Sequence, residues 1–347
     1  MSLRERLVAR ITRCGPMRIS DYMTVCLHDP EQGYYATRPA LGAMGDFITA
    51  PHVSQMFGEL LGLWAADVWV RLGGPDCVRL VELGPGDGTM MSDMLRAARA
   101  VPGFIEALDI WLIESSPPLR SAQAGALAGT PVRWARDLAA LPSGSPCILI
   151  ANEFLDCLPI EQWIRRGEQR HLRRVGVNAA GELAFVADAP HPGQGPARDG
   201  DVIIESSPAL ARFGREVGKT IARLGGAALF IDYGSADASA GDTLQALRKH
   251  RKESALAHPG EADLTAHVHF PTFLDAARAG GARTAPLETQ GDFLRRLGIV
   301  LRAEALGRAS PQEAELIQRQ LQRLVAPAQM GELFKVARLH SSDIRAP

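Results

Sequence analysis

Residues 80–89 bring together the side chains best placed to do chemistry. Leu80, Val81 and Leu83 form a short apolar run broken by Glu82; Gly84, Pro85, Gly86, Asp87 and Gly88 follow, and Thr89 begins a helical pattern. Glycines at 84, 86 and 88 remove the side chains that keep a ligand off the backbone, and the amides opening the next helix can receive an anionic group. A dinucleotide fingerprint would need its third glycine at the position Thr89 occupies. The compact Gly-x-Gly-x-Gly form behind an acid fits S-adenosylmethionine better than NAD, so Glu82, Gly84, Pro85, Gly86 and Gly88 are the expected cofactor contacts. A purely structural strand-to-helix turn is the alternative.

Three further groups could complete such a site. Glu114 closes the next apolar run, where a carboxylate can accept hydrogen bonds from both ribose hydroxyls or else cap the helix near Pro117. Asp137 and Leu138 fall in the zone of the adenine edge, although Asp137 is equally a helix N-cap. Residues 45–51, with Gly45, Asp46, Thr49 and Pro51, mix glycine, acid and aromatic residues without periodicity and could cover a cofactor, or merely start a helix. Asn152, Glu153 and Asp156 end another apolar run. Methyl transfer from a sulfonium is a linear displacement dominated by alignment and exclusion of water. An arginine acceptor would also need paired acids, which hold the planar guanidinium and help one nitrogen become nucleophilic despite a pKa above about 12. Asn152, Glu153, Asp156 and Glu59 are the catalytic candidates; Glu153 and Asp156 also read as caps of the following segment. Asp263, His267 and His269 lack a further ligand at metal spacing, and no metal is expected.

The elements that must position these residues read as follows. Helices are expected over residues 2–12 and 20–27, the second capped by Ser20 with Asp21, then a loop at 29–51 and an amphipathic helix through Val53, Phe57, Leu60, Leu61, Trp64 and Val68. Strands at 78–83, 109–113, 132–134, 147–151 and 227–231 alternate with helices at 89–100, 117–128 and 209–224, which predicts a parallel sheet covered on both faces. Turns at Gly167 and Gly181 mark an antiparallel hairpin inserted at 161–187, and residues 189–200 read as a loop. A polar region reaches about residue 263, then helices and a last strand at 333–339. The organisation expected is an N-terminal helical cover, residues 1–70, and a core, 71–347, with insertions near 160–200 and 235–325.

Composition narrows the function classes. The 347 residues have a net charge of -1, which gives no global attraction to nucleic acid or to an anionic membrane. Arg165, Arg166, Arg170, Arg173 and Arg174, and the run Arg248 to Lys252, are basic clusters without interleaved aromatic platforms, so solvated turns or protein contacts are expected of them. Five cysteines without a Cys-x-x-Cys pair argue against a disulfide framework or zinc knuckle. No apolar run of about 18 residues occurs, and residues 1–10 lack a signal core. A soluble cytoplasmic protein, not inserted in a membrane, is expected.

These blocks, in this order, resemble the MidA family, the mitochondrial complex I assembly-factor methyltransferases and their bacterial relatives. The resemblance rests on Tyr22 and Met23, Gly33 to Tyr35, residues 45–51 and 54–59, 81–89 and 152–159. It continues through 231–234, 241–244, 260–268 and 331–335. It implies a class I, Rossmann-like, seven-stranded methyltransferase fold. Glu82, Gly84, Gly86 and Glu114 would then bind S-adenosylmethionine, with residues 45–51 closing over it. It also implies symmetric dimethylation of an arginine on a peripheral subunit of complex I; for a bacterial-type chain the counterpart is a subunit of its NADH:quinone oxidoreductase. A homodimer is compatible with the reading. The chain departs from the family pattern at Asp87, where Arg is frequent, and at His52, where Glu is usual. Cys157, His269, Ala135 and Arg136 depart as well. A small-molecule methyltransferase and a non-catalytic S-adenosylmethionine-binding assembly chaperone are the competing readings.

Overall fold

The computed structural model of the chain describes residues 1–37, 49–192, 201–237, 241–342 and 344. Its centre is a sheet built from β1 (Val78–Leu83), β2 (Leu108–Ile113), β3 (Val132–Ala135), β4 (Cys147–Asn152), β5 (Gly226–Ser235) and β6 (Phe334–His340). The order is β3-β2-β1-β4-β5-β6, parallel throughout except for β6, which runs antiparallel to β5. Arg283–Thr284 extends the path beyond β6 to seven strands, and Glu288–Thr289 also pairs with β6. Every residue of β1 and β4 is buried, which is why neither alternates: β4 reads as an apolar run up to Asn152, and β1 as one broken only by Arg79 and Glu82.

Helices cover both faces. Helix α1 (Leu3–Cys14) and α2 (Ile19–His28) precede the sheet; α3 (Gln55–Arg71) and α4 (Thr89–Ala98) pack together on one face, and α5 (Pro117–Ala126) follows β2. On the opposite face lie α6 (Pro208–Leu224) and α7 (Phe270–Ala279), whereas α8 (Gln290–Arg296), α9 (Ile299–Ala309) and α10 (Ala314–Val325) join the α3 side. The α3–α4 crossing depends on Gly62, where a Cβ would stand 2.3 Å from the Met94 carbonyl oxygen. The amphipathic stripe expected for α3 is wider than an ordinary surface helix, because α9 packs on its outer side and buries Glu59 and Ala66 as well.

The insertions are larger than the hairpin expected. Glu161–Arg166, Gln169–Val177 and Leu183–Ala187 do turn at Gly167 and Gly181, with φ of 57° and 79°. The same sheet also takes Met17–Arg18 and Val202–Ser206 as further strands. The polar region before residue 263 holds a second antiparallel sheet, Gln245–Arg248, Arg251–Glu253 and Asp263–Thr265. Helices α1 and α2 pack over both insertions through Leu7, Ile11, Tyr22, Met23, Val175, Ala246 and Leu264. The cap foreseen at Ser20 is not made: Arg18 occupies the N-cap position, and the Ser20 hydroxyl donates to Glu161 of the inserted sheet instead. The loop expected at 189–200 lies mostly outside the described residues. Among the described residues no helix is long and apolar enough to cross a membrane.

Candidate active site

A cavity of about 310 Å³ opens beyond the carboxyl ends of β1, β2, β4 and β5, the place where open parallel sheets present groups to a ligand. At its β1 end, Gly84 and Gly86 line the wall with φ of 59° and 56°, together with Pro85. A Cβ on Gly84 would meet the Phe154 ring at 3.0 Å. Gly88 does not reach the cavity. It is the left-handed N-cap of α4, and a Cβ there would press on Gln123 and Ala126 of α5 at 3.3 Å, so its role is packing.

Glu82, at the base of the glycine turn, is buried, and burial followed by repulsion from Asp87 pushes it up to about 8. Its Oε2 has no hydrogen-bond partner among the described residues. Glu114 lines the same cavity from the end of β2. Its Oε1 accepts from the Ser116 amide at 2.7 Å and its Oε2 from Gln123 Nε2 at 3.3 Å; burial raises its pKa against these bonds. The buried Gln123 amide also donates to the Gly86 carbonyl at 2.8 Å and accepts from Trp134 Nε1 at 2.8 Å. One side chain on α5 thereby ties the glycine turn to the acid of the neighbouring strand.

Asp137 and Leu138 are not brought to the cavity. The Asp137 carboxylate caps the short turn Leu138–Ala140 by accepting from the Ala140 amide at 3.1 Å, and Leu138 is buried in the apolar layer under α6. Arg136 lines the cavity in their place, beside Ser115 and Leu119. Thr49, Pro51 and His52 form the opposite wall; Gly45 and Asp46 lie outside the described residues. His52 Nε2 is 3.0 Å from Asp87 Oδ2 and His52 Nδ1 is 2.8 Å from Thr49 Oγ1. Against the push of burial, hydrogen bonds from His52 and Thr89 hold Asp87 down to about 2. Two of the positions that depart from the resembled pattern therefore pair with each other across the cavity rim.

The far end is acidic. Asn152 and Glu153 continue β4, and Glu153 turns into the left-handed region with φ of 50°. Its Oε1 accepts from the Ala50 amide at 3.1 Å and from Asn152 Nδ2 at 3.0 Å, while Oε2 has no partner among the described residues. Burial and the nearby Asp156 push Glu153 up to about 8. Asp156 is driven well up by burial and then by Asp232 and Asp263, and it holds a hydrogen bond with Tyr233. Behind the turn, the buried Asp232 carboxylate accepts from the amides of Phe154, Leu155, Asp156 and Tyr233 at 3.0, 2.7, 3.2 and 2.9 Å. The Tyr35 hydroxyl donates to Asp263 Oδ1 at 3.0 Å, and His28, Cys157, Thr265 and Leu247 complete the wall.

Glu59 is elsewhere. Its buried carboxylate accepts from Arg302 Nε at 2.7 Å and Arg96 Nη2 at 3.2 Å, two half-exposed guanidinium groups that join α3 to α9 and α4. His269 is committed to α7, which it caps at Thr272, and His267 faces a second cavity of about 320 Å³ that adjoins the first at Asp156. Among the described residues no group of His, Cys, Asp and Glu side chains is able to hold a metal ion. Of the residues not foreseen as site residues, Asp232 and Tyr233 stand at the end of β5, where the strand-end argument used for β2 and β4 would have found them. Arg136, directly after β3 and already set apart as a departure from the resembled pattern, falls to the same argument; nothing local in the sequence marks Gln123 or Leu247.

The chain resembles known proteins over most of its length. Residues 60–287 match the family Methyltransf_28, described as "Putative S-adenosyl-L-methionine-dependent methyltransferase". The human mitochondrial protein arginine methyltransferase NDUFAF7 is 34% identical over 360 residues, covering 94% of this chain and 81% of the relative. The homolog of that enzyme in Drosophila melanogaster is 35% identical over 372 residues, covering 96% and 84%. A Burkholderia thailandensis protein crystallised with S-adenosyl-homocysteine superposes with a TM-score of 0.85 at 28% identity, covering 99% of this chain and 92% of that one.

Proposed function

The chain belongs to this family of S-adenosyl-L-methionine-dependent methyltransferases, and from that membership we propose that it methylates an arginine side chain on a protein partner. The observation that carries the arginine reading is the acidic end of the cavity. Glu153, Asp156 and Asp263 line it with Asp232 directly behind, and each of Glu153, Asp156 and Asp232 is raised in pKa by burial and by other members of the group. Buried carboxylates that repel one another are stabilised by a planar cation able to donate to several oxygens, and guanidinium is the side chain of that shape. The arginine-methyltransferase names of the relatives support the same reading.

The residues present suit the cofactor. The positive-φ glycine turn leaves a cradle that side chains would fill, and the unpartnered Glu82 oxygen is suited to a cationic amine. In this reading Gly84, Pro85, Gly86 and Glu82 hold the amino-acid portion, Glu114 the ribose hydroxyls, and Ser115, Leu119 and Arg136 the adenine, with Thr49 and Pro51 closing the wall. The cofactor supplies a methyl group on a sulfonium, open to in-line displacement. Glu153 takes the proton from the attacking guanidinium nitrogen, for which a carboxyl near 8 is better matched than an ordinary one near 4. Asp156 and Asn152 fix the orientation of the guanidinium, and Asp232 holds the turn that presents them. By the resemblance above, the partner is a peripheral subunit of respiratory complex I.

Methyl transfer to an arginine acceptor, followed against pH, tests this. With acceptor far below its KM, transfer should rise as pH passes through about 8, where Glu153 of the unliganded protein ionises, and at saturating acceptor the rise should move to lower pH; Glu153→Gln should lower transfer by about a hundredfold or more with cofactor affinity kept. Full activity in Glu153→Gln would remove that carboxylate from the mechanism.

A further inference from the structure

Among the described residues only three that are not glycine have positive φ: Glu153 at 50°, Lys249 at 51° and His250 at 60°. The first is in the acidic turn. The other two form the two-residue tip of the hairpin Gln245–Arg248 and Arg251–Glu253, in which Arg248 pairs with Arg251. Left-handed φ at both tip residues is the pattern of a type I′ turn, which Asn-Gly fills without penalty. Lys and His pay a conformational cost there, and such cost accumulates where function holds a residue in place.

The hairpin is part of the site. Leu247 lines the cofactor cavity, and across the sheet it pairs with Asp263, which lines the same cavity. Lys252, opposite Leu247, acts electrostatically on His267 at the neighbouring cavity. Arg248 is paired with Glu261 at 3.2 Å, while Lys249, His250, Arg251 and Lys252 are exposed. A basic tip thus ends the hairpin whose Leu247 lines the cavity, one cross-strand pair from Asp263 of its acidic end.

We propose that this tip is a docking surface for acidic residues flanking the acceptor arginine on the partner polypeptide. The inference rests on the arginine reading and deepens it by naming the character of the partner. The inner acids select the cationic side chain, and the outer bases select its anionic neighbours. An acceptor with basic flanks would be repelled at the tip. Long-range attraction of this kind acts on the encounter and on specificity more than on the chemical step. Nucleic acid is the less favoured occupant, because no exposed aromatic residue interrupts the run from Arg248 to Lys252.

The test uses the full chain saturated with S-adenosyl-homocysteine and three synthetic peptides, each with one central arginine and flanks that are acidic, neutral or basic. The acidic-flanked peptide should bind roughly tenfold tighter than the neutral one, and the preference should vanish at about 1 M salt, where the Debye length is about 3 Å. Arg251→Glu with Lys252→Glu should abolish or invert the preference with S-adenosyl-homocysteine affinity unchanged, which also establishes that the variant is folded. Lys249→Asn with His250→Gly gives the tip its preferred turn residues, so it should stabilise the hairpin while weakening the preference. Equal binding of acidic and neutral peptides, or a preference untouched by the charge reversal, overturns the inference and leaves the arginine reading standing. Failure of all three peptides to bind overturns both. Binding of a single-stranded oligonucleotide that competes with the acidic peptide and is lost in the same variant would reassign the tip and overturn the proposal.

Discussion

Glu82 and Glu153 both stand at about 8, so at neutral pH each is largely protonated before ligands arrive. A cationic group placed against either lowers its pKa, and a proton must leave. Cofactor and acceptor binding near pH 7 should therefore each release protons, seen as a dependence of calorimetric enthalpy on the ionisation enthalpy of the buffer; no such dependence would contradict the assignment. The same shifts set the stability of the unliganded protein. A glutamate raised from about 4.3 unfolded to about 8 folded binds more protons in the folded state across that interval, so its contribution falls as pH rises through it. Glu153→Gln should accordingly melt higher than the natural chain at about pH 8.5, with the difference shrinking toward acid. Residue types at strand ends made Glu82, Glu114, Glu153 and Asp156 legible in the sequence. Glu59 was not distinguishable from them, because its pairing with Arg302 joins helices 243 positions apart. Asp137 and Gly88 carry the right residue types, but a local cap satisfies one and a helix contact explains the other.

At the scale of the element, the turn after β4 depends on a carboxylate from the next strand. Asp232 accepts from four backbone amides, three of them in buried bonds, and those of Phe154, Leu155 and Asp156 directly follow the left-handed Glu153. Asp232→Ala should destabilise the protein by about 3 kcal/mol or more by denaturant titration, because unmade buried hydrogen bonds cost about 1–3 kcal/mol each. A loss below about 1 kcal/mol would show that the turn is held by other contacts. The parallel strands and their helices were readable to within two residues at most ends, because long apolar runs and glycine turns are local signals. Val202–Ser206 was not, since a short half-polar strand forms only when a partner distant in sequence supplies the pairing, and the hairpin at 245–253 was not, since its Lys249-His250 tip lacks the Asn-Gly type of turn that marks a two-residue hairpin. The φ values at Glu153, Lys249 and His250 have no sequence signature at all.

Across the whole molecule, a net charge of -1 conceals a sorting of signs, with acids gathered at one end of the cavity and bases at the tip of the hairpin whose Leu247 lines it. The inserted sheets and α1–α2 form one apolar cluster of their own; Cys157, packed against it, lines the cavity, and Ile160 lines the neighbouring one. A ligand held between that unit and the core sheet stabilises the fold by mass action. S-adenosyl-homocysteine at about a hundred times its Kd should raise unfolding free energy by about 2.7 kcal/mol, and Glu114→Ala should abolish most of the thermal shift. A shift unchanged by that substitution would place the ribose elsewhere. The central claim, transfer of methyl groups to arginine, is tested most directly by mass spectrometry of a defined acceptor. The peripheral subunits of NADH:quinone oxidoreductase, prepared from cells lacking this protein, are incubated with S-adenosylmethionine and either the natural chain or Glu153→Gln. The account predicts one or two added methyl groups on an arginine of one subunit with the natural chain and, over the same incubation, about a hundredth of that modification or less with the variant; unmodified arginines in every subunit, or equal modification by both proteins, would contradict it.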